Sequence, residues 1–217
     1  DQIANFYIVK SNTLFYGNQP EQALELMQVA IDILKRIEHP DQYLLGTAYY
    51  NMAYYLRNLE RYPEAEQFYR RSLTAYEQTG IQYDITDAVI RIGGSLYYQE
   101  RFDEAFGAFY KATWTSAQQE MSFYYLAAIS ARRDEPLQAL AFLERALIKN
   151  SRNIKARALK GSLLAALGKP ETEAWLRENI SIDPFDYLSR WELEMLLGTD
   201  GSATISMMKN STQTLLG

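Results

Sequence analysis

The 217-residue chain has no cysteine, which excludes disulfides, thiolate metal sites and a cysteine nucleophile. Histidine occurs once, as His39 in Glu38-His39-Pro40-Asp41. Acid–base or metal chemistry needs convergent partners, so His39 reads as a linker residue and no metal or other cofactor is expected. No window approaches 18 uninterrupted apolar residues, so no membrane span is expected. Positive charge is scarce: 22 Lys and Arg stand against 27 Asp and Glu, a net charge of −5. Phosphate binding needs a basic face, which argues against nucleic acid as a partner. No G-x-S-x-G nucleophile turn occurs. Gly93-Gly94 lies inside a helical pattern with no Lys-Ser/Thr behind it, so it is not a phosphate loop. The chain opens at Asp1 without Met or a visible signal peptide. The expectation is a cytoplasmic chain from which a leader or a whole domain has been removed.

What is present is repetition. An alanine returns in one local context at Ala23, Ala65, Ala105 and Ala139, with separations of 42, 40 and 34. A unit of this length means stacked supersecondary elements rather than one globular fold. Turn signals such as Gly17-Asn18-Gln19-Pro20, His39-Pro40, Thr79-Gly80 and Gly168-Lys169-Pro170 punctuate stretches of helical periodicity. The pattern predicts helices over 2–16, 20–38, 41–58, 62–79, 82–99, 103–117, 120–133, 136–149, 153–167, 170–182 and 186–197. Asn18-x-x-Glu21 reads as a helix start, and Pro20 and Pro63 suit a first helical turn. The tail over 201–217 is either a frayed helix or the beginning of another unit.

Paired helices need small residues where their axes approach and large apolar residues where neighbours stack. Tyr49, Met52, Ala53 and Leu56 precede Tyr62, Ala65, Tyr69 and Ser72. Val89, Ile92, Gly93 and Leu96 precede Phe102, Ala105, Phe109 and Ala112, and Phe123, Leu126 and Ala127 precede Ala139, Leu143 and Ala146. In these positions the chain resembles the tetratricopeptide repeat (TPR) family over about residues 3–184. The first unit fits through Ala23, Met27 and Ala30, with Ser11 at the small position. The fifth, with Leu159, Gly161, Leu167 and Gly168 before Ala174, is off by one residue. The resemblance implies an all-α fold: about five helical hairpins in a right-handed superhelix over 1–184, then a capping helix and tail over 185–217 in which Trp175 and Trp191 help bury the last unit. Separations above 34 predict extra helical turns in the first three units. From Phe109-Tyr110-Lys111-Ala112-Thr113-Trp114 onward the chain also resembles the C-terminal TPR array of large bacterial proteins whose N-terminal half is β-rich and sometimes encoded near sugar-metabolism genes.

In that family the first helix of each unit lines the concave face. Its free positions here include Ile8, Asn12, Phe15 and Tyr16; Thr47, Tyr50, Tyr54, Arg57 and Asn58; Asp87, Ile90, Gly94, Tyr97 and Tyr98; and Tyr124, Ala128 and Arg132. The resemblance implies a non-catalytic scaffold that holds a protein or peptide segment in this groove. The expected contacts are Asn12, Tyr54, Arg57, Asn58, Asp87, Tyr97, Tyr98 and Arg132, because Tyr and Arg anchor interfaces and Arg can pair with a carboxylate. Ile8 stands where chaperone-clamping members carry a Lys, which disfavours that variant. The alternatives are self-assembly into a homo-oligomer, through an open end or Met207-Met208, and support of a larger, carbohydrate-related bacterial protein. Gly93 reads as a packing residue and Gly94 as a dent. Glu64, Glu66, Asp103 and Glu104 read as solvated acids at helix starts. Asn179-Ile180-Ser181 and Asn210-Ser211-Thr212 read as chance sequons.

Overall fold

The computed structural model describes residues 1–115 and 118–208. Eleven helices follow one another in the described residues: α1 (Gln2–Tyr16), α2 (Pro20–Lys35), α3 (Gln42–Asn58), α4 (Tyr62–Thr79), α5 (Gln82–Tyr98), α6 (Phe102–Ala112), α7 (Gln119–Arg132), α8 (Pro136–Lys149), α9 (Ile154–Ala166), α10 (Thr172–Ile182) and α11 (Tyr187–Leu196). Residues 202–208 are helical as well, and the described residues contain no strand. The Asn210 sequon, the last nine residues of the tail and the expected end of the 103–117 helix at 116–117 lie outside the described residues.

Several helices are shorter than their periodicity suggests, and three of them show how an end is set. Helix α2 stops at Lys35, ahead of the His39-Pro40 linker. Helix α6 stops at Ala112, where the Thr113 hydroxyl donates to the Tyr110 carbonyl at 2.7 Å. Helix α10 starts at Thr172, whose hydroxyl donates to the Lys169 carbonyl at 2.6 Å. Short hydroxyl side chains compete for backbone groups and so set helix limits.

One turn recurs after every first helix. Asn18, Glu60, Glu100, Asp134, Gly168 and Gly198 all have positive φ, between 59° and 78°. At each, its own N–H bonds the carbonyl three residues back, and the next N–H bonds the carbonyl five residues back, as in Glu100 to Tyr97 at 3.0 Å and Arg101 to Leu96 at 3.0 Å. This is the Schellman end of a helix. Asn18 is thus the left-handed residue that closes α1, not the cap of α2; Gln19 occupies that cap and makes no side-chain bond there. Helix α11 ends in the same turn as the five first helices before it.

Measured from these turns, packing falls into register. Seven residues before each of the first five stands a small residue: Ser11, Ala53, Gly93, Ala127 and Gly161; before Gly198 the place is taken by Trp191. A Cβ on Gly93 would lie 3.1 Å from the Phe109 ring, and one on Gly161 would lie 2.9 Å from Leu176. Ser11 is fully buried and donates to the Ala23 carbonyl at 2.7 Å, so the first unit fits the pattern. The second helices bury Ala23, Met27 and Ala30; Ala65, Tyr69 and Ser72; Ala105, Phe109 and Ala112; and Ala139, Leu143 and Ala146. In α10 the equivalent set is Thr172, Leu176 and Asn179, each one residue nearer the preceding turn than in the other second helices; Ala174 is exposed and does not fill the alanine position.

The chain divides into two compact units, Asp1–Ser122 and Phe123–Gly217. In the first, Glu66 is buried rather than solvated: it accepts from Arg70 at 2.9 Å, Gln99 at 3.0 Å and Arg101 at 2.6 Å, tying α4 to the end of α5. In the second, buried Arg157 donates to Asn179 at 2.8 Å and stacks on Trp175 at 4.2 Å. The Trp175 indole N–H also bonds the Arg157 carbonyl at 3.1 Å. Trp191 is 40% exposed and lies against Gly201, where a Cβ would approach its ring to 2.7 Å.

Candidate functional site

The long hairpins of the first unit set the site. Asp41 caps α3 by accepting from the backbone N–H groups of Tyr43 and Leu44. One turn on, Gly46 leaves a notch in α3 that the Tyr76 ring of α4 fills; a Cβ there would lie 2.7 Å from the ring. Ser72 closes the same approach by donating to the Gly46 carbonyl at 2.9 Å. Tyr50, one further turn along α3, meets the buried Tyr69 ring edge-on at 5.4 Å, and its hydroxyl interacts electrostatically with Asp87 of α5. Asp87 also pairs with Arg91 at 3.5 Å, and the Arg91 guanidinium lies 5.9 Å from the Tyr50 ring centre.

These residues enclose a pocket of about 290 Å³ lined by Tyr50, Tyr76, Tyr83, Asp84, Asp87 and Arg91. Its groups are electrostatically coupled. Burial, then the Asp87 charge and hydrogen bond, push the Tyr50 hydroxyl far above the usual tyrosine range. Burial pushes Asp84 up, and the neighbouring Asp87 charge adds to it. Burial alone would lower Arg91, but Asp87 and the two tyrosines outweigh it and hold the guanidinium firmly charged. Tyr69 is raised by burial against the opposing charges of Arg91 and Arg57. Its hydroxyl is fully buried and finds no hydrogen-bond partner among the described residues.

Two aromatic clusters flank this pocket on the first helices. Toward the end of α5, Tyr98 stacks on Tyr62 at 5.0 Å, Arg57 lies 5.6 Å from the Tyr98 ring centre, and Tyr97 meets Tyr98 and Phe102 edge-on. Between α1 and α3, Phe15 stacks on Tyr55 at 4.2 Å and meets Tyr54 edge-on, while Tyr16 and Tyr54 share a hydrogen bond. Gly94, on the same side of α5, is buried, yet a Cβ there would meet nothing within 4 Å.

The expected contact residues therefore divide. Arg57 and Tyr98 come together, and Tyr54, Tyr97 and Asp87 each join an aromatic or charged cluster. Asn12 is engaged within the array, accepting from the Tyr55 hydroxyl and from Asn51 at 3.2 Å. Asn58 donates to the Tyr54 carbonyl of its own helix at 2.7 Å. Arg132 ends α7, in the second unit. Inward register on first helices alone misses Tyr69, Tyr76, Tyr83, Asp84 and Arg91. The Asp87-x-x-x-Arg91 spacing was a readable signal, since residues four apart share a helix face. Tyr69 and Tyr76 come from a second helix and carried no such signal. Exposed His39 sits in the α2–α3 linker, and the described residues hold no cluster of three metal-ligating side chains. No helix among them is long and apolar enough to cross a membrane.

Comparison with known proteins agrees with this architecture. A sequence model described as tetratricopeptide repeat matches residues 2–78. No curated protein matches the chain in sequence. Among solved structures, RapI in its apo form superposes with a TM-score of 0.81 at 15% identity, covering 98% of this chain and 83% of that one. A tetratricopeptide repeat protein from Parabacteroides merdae ATCC 43184 gives 0.77 at 16% identity, covering 97% and 80%. YrrB, described as a TPR protein with an unusual peptide-binding site, gives 0.62 at 20% identity, covering 84% and 88%. The chain has the TPR-like helical-repeat fold, and its tetratricopeptide character is supported by the sequence match over residues 2–78.

Proposed function

We propose, taking a TPR-like helical array as the premise, that this chain is a non-catalytic scaffold that binds a peptide or protein segment. The proposed binding face is formed by α1, α3 and α5. The observation that carries this reading is the density of half-exposed tyrosine and arginine on that face: Tyr54, Arg57, Tyr97 and Tyr98 beside a polar pocket. Such side chains offer large contact area at low entropic cost together with hydrogen-bonding groups, the composition of interface anchors. The peptide-binding site in YrrB's description supports the reading by analogy of fold. An immobilised library of heptapeptides, probed with the wild type and with an Arg57→Ala/Tyr97→Ala variant, tests it. Peptides retained by the wild type and lost by the folded variant are the expected result. A variant that binds equally well would remove this face from consideration, and one that unfolds would mark these side chains as packing residues.

A second reading, self-association, has its own support. Leu188, Trp191, Leu196, Leu197, Ile205 and Met208 are each at least 40% exposed and crowd the last described residues. Contiguous apolar exposure of this kind commonly marks an interaction surface. Light scattering across a concentration series decides it, a strict monomer ruling it out.

A further inference from the structure

We infer that the pocket between α3, α4 and α5 receives the positively charged side chain of a bound peptide, a lysine or an arginine. The inference rests on the peptide-binding reading above and names the chemistry that reading would select. Six side chains wall the pocket: three tyrosines, two aspartates and one arginine. Arg91 and Asp87 neutralise each other across 3.5 Å. Asp84 is left as a carboxylate with no ion pair or hydrogen bond among the described residues. It stands one helical turn before Asp87, whose charge, with burial, already disfavours its ionisation. An anion entering here would meet two carboxylates and an arginine whose charge is already compensated. A cation would relieve the Asp84–Asp87 repulsion in a pocket also lined by Tyr50, Tyr76 and Tyr83, a residue type whose rings can attract ammonium and guanidinium groups.

Behind Tyr50, and outside the lining of the pocket, the fully buried Tyr69 hydroxyl has no hydrogen-bond partner among the described residues, although such a group costs about 1–3 kcal/mol when left unsatisfied. The charged groups acting on it are Arg91, Arg57 and Asp87, those of the pocket and of the adjoining Tyr98 cluster. The pocket also has its own source in the sequence. Tyr76, Tyr83 and Asp84 lie in the extra helical turns of α4 and α5, turns that the shorter helices α8 and α9 do not have.

The test uses the same heptapeptide library, read for composition, with Asp84→Asn and Tyr83→Ala beside the wild type. Tyr83 is 59% exposed and Asp84→Asn removes a repelling charge, so neither change is expected to unfold the chain. The expected result is enrichment of Lys or Arg among bound peptides. Affinity should fall at least tenfold in Asp84→Asn, and equally when lysine is replaced by norleucine or arginine by citrulline. Which replacement matters separates the two cations. Peptides that bind regardless of cation and of Asp84 would overturn the inference and leave the scaffold reading standing. If no peptide binds, titration with butylammonium and methylguanidinium decides. Shifts of the Tyr50 and Tyr83 ring resonances would uphold a cation pocket without the peptide reading, and unmoved resonances would end both.

Discussion

From Glu60 to Glu100 the chain takes 40 residues between equivalent turns; from Asp134 to Gly168 it takes 34. The added length goes into helix. Helices α4 and α5 have 18 and 17 residues, against 14 and 13 for α8 and α9. Four residues extend a helix by about 6 Å. The long hairpin uses that reach to build something the short one lacks: the Gly46 notch with its Tyr76 ring, and the pocket bounded by Tyr83 and Asp84. Composition follows the same division, with 14 of the 17 tyrosines in the first 122 residues. At the registers where α3 and α5 carry Arg57 and Tyr97, α7 and α9 carry Ala131 and Ala165. The short hairpins keep the packing core of the repeat, and the long ones add a chemically furnished face to it.

The contrast can be broken most sharply at the glycines facing each second helix. Gly46→Ala would press a methyl against the Tyr76 ring, held on both sides, and should destabilise by about 1–3 kcal/mol. Gly161→Ala meets only the end of the Leu176 side chain, which can turn aside, so its cost should be smaller. Urea midpoints of the two variants compare them directly; equal losses would mean that the long hairpin is not the more tightly fitted of the two.

Tyr69→Phe sharpens the comparison from the opposite direction. It deletes a buried hydroxyl without a partner, and should stabilise by about 1 kcal/mol. Leu143 takes the equivalent place in α8 and has no polar atom to lose. A destabilised Tyr69→Phe protein would show that the hydroxyl contributes to the fold rather than to a ligand. The smallest effect is expected at Gly94. A methyl there meets open space while removing backbone freedom from the unfolded chain, so Gly94→Ala should gain about 0.4–1 kcal/mol in thermal or urea unfolding. Its neighbour Gly93, tight against Phe109, should not tolerate the same change.

Much of this molecule was legible in its sequence. The Ala23, Ala65, Ala105 and Ala139 repeat, the helix order and the buried register at Tyr69, Phe109 and Leu143 all follow from helical periodicity, because one face of each helix must leave water. The places where the sequence misled are local contests. Asn18 has the side chain of a cap, yet takes a left-handed backbone to close the helix before it. In α10 a threonine, not Ala174, fills the small position. Glu66 looks like a solvated acid until Arg70, Gln99 and Arg101 are seen around it.

The sequence by itself determined the repeat, the length of each hairpin and the side on which aromatic residues accumulate, since these depend on spacing along a single helix. Tertiary structure alone decided that Tyr50 of α3 meets Tyr69 of α4 edge-on beneath Arg91 of α5, and that Tyr76 of α4 occupies a notch in α3. It also decided that the Tyr69 hydroxyl is buried with no hydrogen-bond partner among the described residues. The reason is geometric. Periodicity specifies which face of a helix is buried, whereas a contact between helices depends on the distance and angle at which two such faces meet, to within the few tenths of an ångström that separate a hydrogen bond from an orphaned atom.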